Sequence, residues 1–219
     1  MQQGFVVVTG GSPPHGGVTA HLPADRFVIA ADSGLDHARR LGLPVDLLVG
    51  DLDSVSSAGL AAAENEGVAI ERHPTAKDAI DTELALEAAV ARGAERIIVV
   101  TGGGDRLDQV LAGLLVLVHP MVRDAVVEGW IGEAYVRALQ GPARAELDGR
   151  AGEYVSLVPV RGPAEGVVTD GLRYPLRTEP LHGGSSRGIS NEFLGGPACV
   201  SLERGALLVI VPYALGGPS

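Results

Sequence analysis

Five short, β-branched apolar runs dominate the first 140 residues: FVVVTGG (5–11), FVIAAD (27–32), DLLVGD (46–51), VAIERH (68–73) and RIIVVTGG (96–103). None alternates apolar with polar, so each reads as a strand covered on both faces. That pattern belongs to a parallel sheet flanked by crossover helices. The segments between them predict helices over 34–41, 56–66, 78–92 and 106–118. In the last, Leu107, Leu111, Leu114, Leu115 and Val118 recur at helical spacing and predict one core-facing stripe. After Gly141-Pro142 the pattern changes to short strands with turn punctuation. EYVSLVPV (153–160), a loop rich in Gly, Pro, Ser and Arg (161–188) and ACVSLERGALLVIV (198–211) predict antiparallel strands, with Glu203-Arg204-Gly205 as a hairpin turn. The expected organisation is an open, mostly parallel α/β domain over 1–139 and a small antiparallel β domain over 140–219.

Composition narrows the function classes. The 219 residues carry 17 basic and 27 acidic side chains, a formal net charge of −10, with Lys77 the single lysine. The arginines are scattered, which argues against a polynucleotide or an anionic membrane surface as partner. The one cysteine, Cys199, has no internal partner for a disulfide. With no signal-peptide pattern at the start, the expected compartment is the cytoplasm. The longest apolar stretch, 107–118, is broken by Asp108 and Gln109 and is shorter than the roughly 20 residues that cross a bilayer.

In open parallel sheets, ligands bind beyond the carboxyl ends of the strands. Four expected strands end in residues with functional chemistry: Gly10-Gly11-Ser12, Asp32-Ser33-Gly34, Gly50-Asp51-Leu52-Asp53-Ser54 and Thr101-Gly102-Gly103-Gly104. Asp51 and Asp53 are two apart, so an extended backbone points both carboxylates one way, about 6 to 7 Å apart at Cα. Such a pair repels unless a cation lies between, and hard oxygen ligands suit Mg²⁺. The competing reading is that Asp53-Ser54 caps the next helix. Asp78 and Asp81, three apart, would share a helical face with the small Ala85 and Ala88, or would serve only as first-turn acids that complement the helix dipole. The three glycines 102–104 allow a ligand to approach the backbone, and Arg106 offers a charged fork for phosphate. Asp108 is placed to accept from a base, a ribose hydroxyl or Arg106 itself. Neither a Walker A loop nor GxGxxG spacing is present. The six histidines have no metal-ligand spacing.

Taken in order, AADSG (30–34), GDLDS (50–54), KDAIDTELAL (77–86), TGGGDRLDQ (101–109), GISNEF (188–193) and ERGALLVIV (203–211) resemble the thiamine pyrophosphokinase family over nearly the whole chain. The resemblance implies an α/β domain followed by a small β-sandwich, assembled as a homodimer. It implies that Asp51, Asp53 and Asp81 hold Mg²⁺ on the phosphates of ATP, and that Asp32, Thr101, Gly102, Gly103, Gly104, Arg106 and Asp108 surround the nucleotide. Ser190 and Asn191 match the SNE segment near the thiamine pocket, and Gln109 is carried over as a further substrate contact. The chain departs from the family pattern at Gln109, where His is usual, at Asp105, inserted before the arginine, at Ile80, where Thr is common, and at Ser33, where Gly is typical.

The implied reaction moves the pyrophosphoryl group of ATP to the thiamine hydroxyl and releases AMP, with Asp78 or Asp81 as the candidate proton acceptor. Two other readings compete. A related pyrophosphokinase would act on a hydroxymethyl pterin-like alcohol, against which the SNE segment speaks. A binding module without activity is opposed by retention of the acids.

Overall fold

The structure, a computed structural model, describes residues 3–76, 78–104 and 106–216. Lys77 and Asp105, singled out above, lie outside the described residues. The chain divides into two compact units, the first ending at Gly132 and the second beginning at Glu133.

Among the described residues the first unit is a parallel sheet with four α-helices. Its strands are β1 (Gly4–Val8), β2 (Arg26–Ala31), β3 (Leu47–Gly50), β4 (Ala69–Arg72), β5 (Arg96–Thr101) and β6 (Val126–Ile131), and its helices α1 (Gly34–Arg40), α2 (Ser57–Glu66), α3 (Asp81–Ala91) and α4 (Leu107–Val116). The strands lie in the order β4-β3-β2-β1-β5-β6, with every pair parallel. All five residues of central β1 are buried, as expected of a strand covered on both faces. Each fully buried Val, Leu or Ile side chain contributes about 1.5–3 kcal/mol, so four of the five apolar runs supply most of what holds this sheet; the fifth, β4, expected to be covered on both faces, lies at the end of the strand order and has no buried residue.

Three features differ from the sequence reading. Strand β6 was not anticipated, because Glu128 and Gly129 interrupt its apolar pattern. Glu128 is nonetheless buried, its carboxylate 2.7 Å from Arg96 Nε on β5. Helix α3 starts at Asp81, not at 78. Ile80 is extended (φ −74°, ψ 156°) and its carbonyl receives the first turn from Glu83 N (2.9 Å) and Leu84 N (3.2 Å), which leaves Asp78 before the helix. In α4 the expected core-facing stripe is only partly found: Leu107, Leu111 and Leu115 are 81, 55 and 42% exposed, Leu114 is half-buried, and Val118, just past the helix, is buried. Spacing identifies residues that share a face, not what that face meets.

The second unit is antiparallel throughout: β7 (Ala134–Gln140), β8 (Ala143–Gly149), β9 (Tyr154–Asp170), β10 (Arg177–Leu181), β11 (Asn191–Glu192), β12 (Gly196–Leu202) and β13 (Arg204–Val211). The change expected at 139/140 comes earlier because β7 pairs with β13 along 135–140. The 17-residue β9 organises this unit. Its first half pairs with β13, and its second half pairs with β10 and β12. The two halves meet at Arg161 and Gly162, whose φ values of 61° and 113° break the ladder. Glu203-Arg204 is therefore not a hairpin turn. Strand β12 pairs with the second half of β9 and β13 with the first, except that Arg204 at the start of β13 still faces Glu165, and the link is held there by Glu203 N donating to Glu165 O at 2.9 Å. The core of the unit is one apolar cluster that includes Val155, Leu157, Val167, Leu181, Phe193, Val200 and Leu207. Among the described residues no helix is long and apolar enough to cross a membrane.

Candidate active site

Because β1, β2, β3 and β5 are parallel, the residues that follow them share one edge of the sheet. A cavity of about 390 Å³ lies along that edge, and its lining is drawn from the first unit.

At one end Asp32 and Asp81 line the cavity, and Asp51 and Asp53, outside the described lining, stand close to Asp32. Asp32, Asp51 and Asp53 each bring one oxygen to within 4.8 Å of the others. Asp32 is 7% exposed and sits in the left-handed region at φ 49°. Its Oδ2 accepts from the Ser54 hydroxyl, while its Oδ1 is buried with no hydrogen-bond partner among the described residues. Burial pushes its carboxyl above the ordinary aspartate range. The Ser54 bond opposes the rise, and the charges of Asp81, Asp51 and Asp53 add to it. Gly50 is what lets the acids approach: a Cβ there would lie 3.2 Å from Asp32 Cβ and 3.3 Å from Asp81 Oδ1.

Between Asp51 and Asp53, Leu52 adopts φ 66° and is 6% exposed, packed with Ala30, Leu35, Leu48 and Ala63. A left-handed leucine costs about 1–2 kcal/mol, and burying its side chain returns about 1.5–3 kcal/mol. The burial therefore offsets the strain and fixes the loop. Asp53 N also donates to Asp51 Oδ1 at 3.2 Å. The capping alternative for Asp53-Ser54 does not hold, since Ser56 caps α2 by accepting from Gly59 N at 3.0 Å. Asp81 lines the cavity. Asp78 is exposed and absent from the described lining.

Further along the edge lies the glycine-rich turn. Ser12 N donates to Gly103 O (3.3 Å) and Gly102 N to Ser12 O (3.1 Å), so the turns after β1 and β5 are joined by their backbones. A Cβ at Gly102 would fall 2.1 Å from Ser12 O, which admits only glycine. Gly103 N donates to Thr101 Oγ1 at 3.3 Å. Buried His37 on α1, which sequence reasoning did not select, supports the same turn. Its Nε2 lies 2.9 Å from Gly11 O and its Nδ1 3.2 Å from Arg40 Nη1. Since the guanidinium only donates, Nδ1 accepts and the proton sits on Nε2.

Thr101, Gly103, Gly104, Arg106 and Gln109 line the cavity. Arg106 holds Asp108 in a two-pronged pair, Nη2–Oδ2 2.5 Å and Nε–Oδ1 3.2 Å, exposed to solvent. This bond lowers the Asp108 carboxyl and raises the Arg106 guanidinium, so both stay charged. Of the three acceptor roles open to Asp108, the structure fills the one toward Arg106. The lining also includes Ser54, singled out in the sequence as the end of GDLDS, and Thr9, Val110, Gly113 and Ile131, which carried no local signal.

Ser190 and Asn191 lie in the second unit. Asn191 is 4% exposed, and its amide is spent on the fold: Oδ1 accepts from Tyr174 N (3.0 Å) and Glu192 N (2.9 Å), and Nδ2 donates to Tyr174 O (2.8 Å). Ser190, at φ 57°, donates its N–H to Ser156 Oγ at 3.1 Å. Around them Tyr154 and Tyr174 are exposed. Tyr154 is paired in register with Glu192, and Arg173 both bonds Glu192 at 2.7 Å and lies 5.7 Å from the Tyr174 ring centre.

A parallel α/β sheet whose carboxyl edge combines clustered carboxylates with a glycine turn and an arginine, in a chain that continues into an antiparallel β unit, defines a class of phosphate-handling enzymes. Residues 19–127 match the family model for the thiamin pyrophosphokinase catalytic domain, and residues 144–207 match that for the thiamin pyrophosphokinase vitamin B1 binding domain. The chain belongs to the thiamin pyrophosphokinase family, and its activity is pyrophosphoryl transfer to thiamine. It is 25% identical over 195 residues to the thiamine pyrophosphokinase of Bacillus subtilis (strain 168), spanning 88% of this chain and 90% of that one. The crystal structure of thiamine pyrophosphokinase from Bacillus subtilis shares the fold, with a TM-score of 0.82 at 20% identity over 95% of this chain and 98% of that one. That of a thiamin pyrophosphokinase family protein from Enterococcus faecalis has a TM-score of 0.75 at 25% identity, covering 94 and 97% of the two chains.

Proposed function

We propose that the chain transfers the pyrophosphoryl group of ATP to the hydroxyl of thiamine, giving thiamine diphosphate and AMP, with Mg²⁺ as the metal. The observation that carries the reading is the convergence of Asp32, Asp51 and Asp53, together with the buried Oδ1 of Asp32, unpartnered among the described residues. Three hard oxygens close to one another, one of them desolvated, fit a divalent cation and are costly without one. Asp32, Asp51 and Asp53 would hold it, with Asp81 beside them. When bound, the cation supplies neutralisation of charge on the transferring phosphates.

The residues of the chain do the rest. The thiamine oxygen bonds to the β-phosphorus while the bond from that phosphorus to the bridging oxygen of AMP breaks. Arg106 meets the phosphate charge, with Asp108 holding its fork. The joined turns around Gly102–Gly104 bring backbone close to the nucleotide. Asp81, which lines the cavity where Asp78 does not, accepts the proton of the thiamine hydroxyl. In the second unit, exposed Tyr154 offers a ring face to the cationic thiazolium, while Arg173 already occupies the Glu192 carboxylate and the Tyr174 ring. Ser190 and Asn191 shape that surface through the backbone. We place the enzyme in the cytoplasm as a homodimer, in keeping with the lone Cys199 and the exposed leucines of α4.

The test is incubation with ATP, Mg²⁺ and thiamine, following AMP and thiamine diphosphate together. Equal yields of the two are expected. Folded protein that forms neither, or that forms AMP with a hydroxymethyl pterin in place of thiamine, would refute the reading.

A further inference from the structure

Among the described residues three glycines lie inside α-helices, and two have an evident packing reason. A Cβ at Gly34 would fall 2.1 Å from Val8 O, and one at Gly59 would fall 2.7 Å from Ser56 Oγ. Gly113 differs. It is the seventh of the ten residues of α4, far from either cap, where glycine is the least favourable residue after proline. A Cβ there would meet nothing within 4 Å. The fold does not need this glycine, yet it lines the cavity. Its neighbours in the lining, Val99, Val110 and Ile131, are apolar, and Gln109, one helical turn earlier on the same face, adds an amide that can both donate and accept.

We propose that Gly113 is a specificity-determining residue, kept without a side chain so that the planar purine base of the nucleotide can lie against α4, its edge met by Gln109. Val99, Val110 and Ile131 in the lining suit an apolar ring face and Gln109 a polar ring edge, and the charged groups of the lining, Asp32, Asp81 and Arg106, are left to the phosphates and their cation. The inference rests on the nucleotide reading above.

The decisive variant is Gly113→Ala in the full chain. Without ligand its Tm rises by about 2–4 °C, because alanine favours the helix and meets no obstacle. At the same time the KM for ATP rises by at least about tenfold. Stabilisation by inorganic tripolyphosphate with Mg²⁺, which has no base, stays as in the wild type, and so does the KM for thiamine. A fall in Tm would make the glycine a packing residue and overturn the proposal. So would an unchanged KM for ATP, an equal loss of tripolyphosphate binding, or a rise confined to thiamine. Wild-type protein that is stabilised by ATP but forms no thiamine diphosphate would instead refute the assigned reaction and leave the base slot standing.

Discussion

At the scale of single residues, the centre of the molecule is a carboxylate kept where a carboxylate is uncomfortable. Asp32 is buried, left-handed in its backbone and ringed by Asp81, Asp51 and Asp53, with only the Ser54 hydroxyl in its favour. Its folded pKa is therefore above the unfolded one. Such a group supports the fold below its ordinary pKa, and that support disappears as pH rises through the folded value. At neutral pH, ionised Asp32 burdens the protein. Asp32→Asn retains an acceptor for Ser54 and removes the charge, so its Tm at about pH 7 in EDTA should exceed that of the wild type. The gap should close as both are taken to acid, and the stabilisation that Mg²⁺ gives the wild type should be lost in the variant. A variant less stable than wild type at neutral pH would show that the charge is not the burden described here.

Elements differ in how much of them a reader of the sequence can see. Runs such as Phe5–Val8 are legible because both of their faces are buried and nothing polar intervenes. The paired acids of GDLDS are legible because their spacing is local. The bond from Ser54 to Asp32 is not, since it joins residues 22 apart that only the order β3-β2 brings together. Strand β6 was hidden by a buried glutamate whose partner, Arg96, lies on another strand. Asp78 was misplaced because acids three apart suggest a helix whether or not the helix has begun. Helix α4 carries the plainest lesson, its periodicity being real and its direction unreadable. Two of its faces now have separate tasks, with Gln109, Val110 and Gly113 on the cavity and Leu107, Leu111 and Leu115 toward solvent. If the leucines meet a second copy, Leu111→Glu should give a monomer by light scattering. The monomer's own stability should change by no more than about 0.5 kcal/mol, as at other exposed positions. A mass unchanged from that of a wild-type dimer would remove the leucines from the interface.

On the scale of the whole molecule, chemistry and architecture are divided. The parallel unit gathers its reactive groups at one edge because parallel strands all end there, while the antiparallel unit spends its most suggestive side chain, Asn191, on holding its own turn. A ligand can therefore be gained or lost in the first unit by single substitutions at strand ends, whereas the second offers mainly its exposed tyrosines. Strand β9 has a further consequence. Because one uninterrupted chain segment belongs to both ladders of that unit, opening either ladder tears the hydrogen bonds of a shared backbone, and neither can unzip as an independent subdomain. In native-state hydrogen exchange, the ladder amides on both sides of the break at Arg161 should then open with the same free energy, within about 0.5 kcal/mol, and at the same denaturant concentration. If one half became exchangeable well before the other, that mechanical linkage would be absent. If they open together, the bend in β9 is a latch that makes the whole β unit fail at once or not at all.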